Sequence, residues 1–129
     1  MRRHPRGIVL TDVLILLVTA TLLLAVGVPE LFAARQRSVQ AQIRDDLRKL
    51  AVAQESYFYD HHVYSADLEQ LQGMGFRSSP GVRLVVNEAT QMGWSATASH
   101  PEWPAGCFLF VRGAAPVGSA TTPGVIRCR

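Results

Sequence analysis

The sequence has few histidines and cysteines, from which catalytic and metal sites are often built, and their spacing fits neither kind of site. Histidine occurs four times and cysteine twice in 129 residues. The adjacent His61 and His62 are expected on an irregular segment and have no third ligand at metal spacing. Glu88 and Glu102 are isolated acids, and no glycine-rich loop of the phosphate-binding kind opens a helix. We therefore predict that the protein is not an enzyme and uses no metal or cofactor.

Acidic residues are also absent from the first seven positions, MRRHPRG, which contain three arginines. Without these arginines, ten of the 13 basic residues remain against ten acidic ones, so the isoelectric point near 9.3 reflects the N-terminus. The basic residues between positions 35 and 49 are interrupted by Asp45 and Asp46, and we predict a solvated or subunit-facing surface there. No patch suited to nucleic acid is evident.

The only apolar run of membrane length covers residues 8–28, and its single charge is Asp12. As a helix rising about 1.5 Å per residue, this run spans about 30 Å, the thickness of a bilayer core. A carboxylate at the bilayer centre costs roughly 2.5–3.5 kcal/mol, and less near the interface. Asp12 therefore suggests a partner charge within the membrane, and hence assembly with other helices.

The residues around the run form a recognisable pattern. Gly7 stands directly before it, Asp12 follows that glycine by five positions, and Pro29 follows it by twenty-two. With the basic leader, this arrangement resembles the prepilin motif of type IV pilins and type II secretion pseudopilins. The resemblance implies a leader of residues 1–7, which a prepilin peptidase removes between Gly7 and Ile8, and methylation of the new amine of Ile8. It also implies that Asp12 acts in assembly.

Two positions depart from the family pattern, which usually has Phe and Glu where this chain has Ile8 and Asp12. These departures favour a minor or pilin-like subunit of a type IV pilus or type II secretion pseudopilus. Its implied partners are other pilin or pseudopilin subunits and an inner-membrane assembly platform. The leader arginines predict a single-pass protein of the bacterial inner membrane with a cytoplasmic N-terminus and an extracytoplasmic head, before incorporation into the filament.

Two other interpretations stay open. A bitopic, membrane-anchored extracytoplasmic protein without an assembly role would account for the length of the run, but not for Gly7 or Asp12. A secreted protein could be cut by the general signal peptidase near Gly27, where Ala25 provides a second small residue. The apolar run is longer than the core of an ordinary signal peptide, however, and contains a charge.

Beyond the predicted transmembrane segment, residues 8–29, the helix continues in amphipathic form over residues 30–60. No glycine or proline interrupts residues 30–59. Gly27 and Pro29 predict a local helix break at the junction. The apolar positions of the second part follow the three- and four-residue spacing of one helix face: Val39, Ile43, Leu47, Leu50 and Tyr57, with Ala53 and Phe58 beside the same stripe.

The remaining residues, 61–129, predict a small globular head. A short helix is expected over residues 65–71 with Ser65 as its N-cap. Strands are expected over residues 82–86, 93–98 and 107–112, with a last short strand over 125–126. Their hairpin-sized connections favour an antiparallel sheet, which packs on the amphipathic part of the helix. The predicted fold class is therefore α+β.

A head of this size builds only a marginal core, and such domains often need a covalent staple. Cys107 and Cys128 both lie on the predicted exported side, where disulfides form. We predict one intramolecular bond between them, which would contribute roughly 3 kcal/mol in the chain-entropy model. The alternative is two free, buried thiols.

Overall fold

The structure, a computed structural model, describes residues 9–129. The predicted leader and the cleavage site at Gly7 and Ile8 lie outside the described residues. The chain divides into two compact units, Met1–Arg35 and Gln36–Arg129, which are described separately below. In chain order the elements are α1 (Leu10–His61), α2 (Leu68–Gly73), β1 (Arg83–Ala89), β2 (Gly93–His100), β3 (Trp103–Arg112) and β4 (Arg127–Cys128).

The first unit contains the N-terminal half of α1, whose apolar side chains are exposed all round. Among residues 9–129, α1 is the one helix long and apolar enough to span a membrane. Two of its threonine side chains donate to backbone carbonyl oxygens about one turn earlier. The Thr19 hydroxyl donates to the carbonyl oxygen of Ile15 at 2.9 Å, and that of Thr21 to Leu17 at 2.7 Å. Such bonding suits an apolar solvent, in which polar groups need partners within the protein.

The predicted break at Gly27 and Pro29 is not observed, because α1 continues through both residues without interruption. A proline within a helix removes one backbone donor and crowds the carbonyl one turn earlier. Its neighbours here are strong helix formers or apolar residues, and in lipid the helix satisfies more backbone groups than any open conformation does. Local weakness at this point stays a prediction.

The second unit confirms the predicted α+β fold. Its sheet is a four-stranded antiparallel meander in the order β1-β2-β3-β4. The core forms between the sheet and α1, where Ile43, Leu47 and Leu50 are fully buried. The inner strand β2 presents the fully buried Ala96 and Ala98, whose small side chains leave room for the large aliphatic residues of the helix.

Two local predictions were wrong. The N-cap of α2 is Asp67, whose carboxylate accepts a hydrogen bond from the Glu69 amide at 2.9 Å; Ser65 lies two residues earlier. The last strand is Arg127–Cys128 instead of residues 125–126. Its register follows from the pairing of the two cysteines and from paired backbone hydrogen bonds between Gly106 and Arg129 at 2.8 and 2.9 Å.

Candidate assembly site

Asp12 lies in the first turn of α1 and is exposed. A carboxylate is favourable here, because the N-terminus of a helix carries a partial positive charge. Within residues 9–129, no cationic side chain pairs with it. Ile8, whose amine was predicted to be its partner, lies outside the described residues. The geometry thus leaves the Asp12 carboxylate available to a group from outside this part of the chain.

The disulfide is confirmed. Cys107 and Cys128 face each other across β3 and β4 and are bonded, with their Cα atoms 4.0 Å apart. Cys107 is fully buried, whereas Cys128 is partly exposed. The bond ties the C-terminal tail to the interior of the sheet.

The two histidines that were considered as metal ligands instead end the long helix. The His61 ring stacks on Tyr57 with ring centroids 4.0 Å apart, and the His62 ring meets Phe58 edge-on. His62 adopts a φ of 58°, the left-handed conformation that commonly stops a helix. Over residues 9–129, no group of three or more histidine, cysteine, aspartate or glutamate side chains could hold a metal.

Asp46 is the clearest departure from the predicted solvated surface, because it is fully buried. Its two carboxylate oxygens accept from Ser79, Oδ2 from the amide at 2.7 Å and Oδ1 from the hydroxyl at 2.9 Å. These bonds fix the loop before β1 to the middle of α1. A signal was present in the sequence, since Asp46 falls three residues after Ile43 and four before Leu50, within the apolar stripe.

Gln54 makes a second buried polar contact that the sequence analysis missed. Its side-chain amide donates to the carbonyl oxygen of Ser65 at 2.7 Å and accepts from the Ser65 amide at 2.9 Å. Gln54 is fully buried, so both bonds are sheltered from water. This pairing fixes the turn that leaves α1, just as Asp46 fixes the loop that enters β1.

A third contact joins the end of β3 to the same turn. The Tyr64 hydroxyl donates to Glu55 Oε1 at 3.0 Å, and Arg112 lies 3.7 Å from the other oxygen of that carboxylate. The Arg112 guanidinium also lies over the rings of Phe58 and Tyr64. Burial, followed by the hydrogen bond to Glu55, raises the pKa of Tyr64 above its usual value.

Together these features define a pilin-like fold. An exposed apolar half-helix continues into an amphipathic half that carries its own small, disulfide-closed antiparallel sheet. The chain is similar to the type IV wide pilus major component PilA4 of Thermus thermophilus, with 28% identity over 99 residues, 76% of each chain. No model of a protein family matches the chain. The similarity and the long apolar helix confirm the predicted resemblance to type IV pilins.

Proposed function

We propose that this chain is a structural subunit of a type IV pilus, without catalytic activity. The proposal rests on the contrast between the two halves of α1. The apolar side chains of the N-terminal half are exposed, whereas the C-terminal half buries its apolar stripe beneath the sheet. Lipid would cover the exposed half before assembly, and neighbouring subunits would cover it in the filament. The name of the relative supports a pilus over a secretion pseudopilus.

The proposed route begins in the bacterial inner membrane, with the N-terminus in the cytoplasm. Prepilin peptidase removes residues 1–7, and the amine of Ile8 is methylated. An inner-membrane assembly platform then transfers the subunit into the filament. We propose a minor or pilin-like role, because Ile8 and Asp12 replace the residues that are usual in the family.

Asp12 is the proposed assembly residue. After cleavage, the positive amine of Ile8 would lie about one helical turn from Asp12 along the axis. In a staggered stack of parallel helices, the amine of an incoming subunit can reach the Asp12 carboxylate of a subunit already in place. Each charge then offsets the cost of removing the other from water. Apolar packing would supply most of the attraction, and the charge pair would set the register.

Processing is tested by the mass of the mature chain. We expect loss of residues 1–7 and a methylated amine at Ile8. Gly7→Leu should abolish cleavage, because a bulky side chain replaces the smallest one at the cleaved bond. A Gly7→Leu chain that loses the leader normally would contradict this step. Leader loss near Gly27 would instead identify a secreted protein.

The assembly role is tested by comparing Asp12→Asn with Asp12→Glu. Asn has nearly the same size as Asp but no charge, whereas Glu retains the charge. We expect Asp12→Asn to insert and be cleaved normally but to be depleted from sheared filaments, and Asp12→Glu to be retained. Equal incorporation of the Asn variant and the native chain would refute a register-setting charge. Absence of the native chain from filaments would favour a bitopic anchor without an assembly role.

A further inference from the structure

An open groove with a volume of about 360 Å³ lies in the second unit between α1 and the C-terminal tail. Arg44 and Arg48 line it from the helix, and Leu109, Val125 and Ile126 form apolar walls. The two arginines lie four residues apart on one helix face, where like charges repel. Neither guanidinium makes a hydrogen bond or ion pair with another residue in the described range 9–129.

The acids closest to these arginines in sequence are engaged elsewhere. Asp45 pairs with Lys49 at 3.0 Å, and Asp46 is buried against Ser79. The groove therefore has two uncompensated positive charges beside apolar walls. That combination suits a carboxylate presented by a folded protein surface. An extended phosphate backbone would need a longer basic track than two arginines.

An uncompensated negative charge occurs near the other end of the same helical segment. Asp60 is exposed and is the penultimate residue of α1, where the partial negative charge of the helix end disfavours a carboxylate. No residue of the described chain forms an ion pair or hydrogen bond with its side chain. At about 100° per residue, Asp60 points about 120–160° away from Arg44 and Arg48 around the helix axis. The two flanks of α1 thus carry opposite free charges.

We propose that the groove receives Asp60 of a second copy of this chain. Parallel copies related by a shift along the helix axis, with little rotation, contact each other through opposite flanks. At about 1.5 Å per residue, a shift of about 18–24 Å brings Asp60 level with Arg44 and Arg48. The contact is heterologous, so each copy leaves one groove and one carboxylate free, and the contact propagates as a filament.

This inference rests on the proposed pilus function and names a second contact within it. The proposed shift of about 18–24 Å exceeds the single helical turn by which Ile8 would be separated from Asp12. The two charge contacts therefore join a subunit to different neighbours. Glu55 is a competing acid on α1, but it contacts Tyr64 and Arg112 and lies on nearly the same helix face as Arg48, so an axial shift without rotation does not bring it to the groove.

Charge reversal tests the contact in the full-length chain. Arg44→Glu with Arg48→Glu should reduce the share of the chain in sheared filaments about tenfold, and Asp60→Arg should do the same. Combining all three changes should restore incorporation to within about threefold of the native chain. Arg83→Glu is the matched control, because Arg83 is exposed on β1, at the opposite edge of the sheet from β4.

Cysteine cross-linking gives an independent geometric test. A chain carrying both Arg48→Cys and Asp60→Cys should form a ladder of disulfide-linked multimers in oxidised filaments. Arg48→Cys with Glu55→Cys should not. A ladder from the Glu55 pair instead, or normal incorporation of the reversed-charge chains, would overturn the inference. If the reversed-charge chains are incorporated normally but the filaments no longer retain DNA, the inference is also overturned, and the groove is assigned to nucleic acid.

Comparing the native chain with the reversed-charge chains distinguishes failure of the groove contact from failure of the proposed function. If the native chain enters filaments and the reversed-charge chains do so equally, only the groove contact fails. If the native chain is absent from filaments, the proposed function fails and the contact fails with it. Preserved near-ultraviolet circular dichroism of the buried Trp94 would show that each variant folds.

Discussion

Asp46→Ala should destabilise the second unit strongly, although Asp46 looks like one of several charges on a helix surface. Its carboxylate is fully buried and accepts two hydrogen bonds from Ser79, at 2.7 and 2.9 Å. Removing it leaves the Ser79 amide and hydroxyl without their acceptor. The loop before β1 would then lose its attachment to α1. The adjacent Asp45 provides a matched control, because it is the same residue type on the same helix but is exposed.

The expected magnitude follows from these contacts. A hydrogen bond to a charged group contributes about 1.5–3 kcal/mol. Ser79 is only half-buried, so water replaces part of what the loop loses. Alanine also recovers about 0.6 kcal/mol of helix propensity. We therefore expect the free energy of unfolding to fall by about 2–3 kcal/mol, which lowers the melting temperature of a domain of this size by about 10–20 °C.

For Asp45→Ala, the change should be small. Asp45 pairs with Lys49 across one helical turn at 3.0 Å, and both side chains are more than half exposed. The interaction with Asp45, first through its hydrogen bond, raises the pKa of Lys49, but such exposed pairs contribute little to stability. The gain in helix propensity offsets that loss. The melting temperature should stay within about 2 °C of the native value.

The assay should follow the buried Trp94 by near-ultraviolet circular dichroism of the full chain in detergent. The far-ultraviolet signal is less suitable, because the apolar half of α1 contributes to it without being part of the core. An Asp46→Ala chain that melts together with the Asp45→Ala chain would refute the assignment. It would mean that the hydrogen bonds between Asp46 and Ser79 stabilise the folded unit no more than hydrogen bonds to water would.

Three further predictions concern the same unit. Cys128→Ser should lower the free energy of unfolding by about 3 kcal/mol, because it opens a loop with a sequence separation of 21; a melting temperature insensitive to this change would contradict it. The raised pKa of Tyr64 means that its contribution to stability is complete below about pH 10 and is lost as pH rises through the raised value. Tyrosinate absorbance should show this late ionisation in the native chain but not in Tyr64→Phe. Gly93→Ala should destabilise, since the added Cβ would collide with the backbone of β3 and the residues after it. Gly73→Ala, which meets no atom within 4 Å, is its control, and equal melting of the two would refute the steric argument.

The features that could be predicted from the sequence are those that depend on local periodicity or composition. Val39, Ile43, Leu47 and Leu50 form the helix side of the core, because all four lie on the face of α1 that is buried. The three longer strands could also be predicted from local composition and alternation, though each extends beyond its predicted bounds at one end.

The features that were missed depend on contacts between distant parts of the chain. Asp46 has the local appearance of a solvated charge, and only Ser79, 33 residues later, gives it a buried role. Ser65 is a residue type that often caps helices, but the side chain of Gln54 bonds its backbone amide and carbonyl oxygen. Asp67 is the N-cap of α2 instead. The last strand is short and has little propensity of its own. It is defined by the bond that Cys128 makes.

The distribution of burial along α1 separates folding from assembly in energetic terms. In the second unit, α1 and the sheet bury their apolar residues against each other, so the stability of this unit does not require a neighbouring subunit. The apolar side chains of the other half remain exposed, and their burial is still available to drive association. Such burial is non-directional and cannot by itself select one axial register. We therefore propose that unpaired charges select the register: Asp12 in the apolar half, and Arg44, Arg48 and Asp60 in the second unit. Charge substitutions at these positions should consequently change which subunits join and how, while leaving the folded second unit intact.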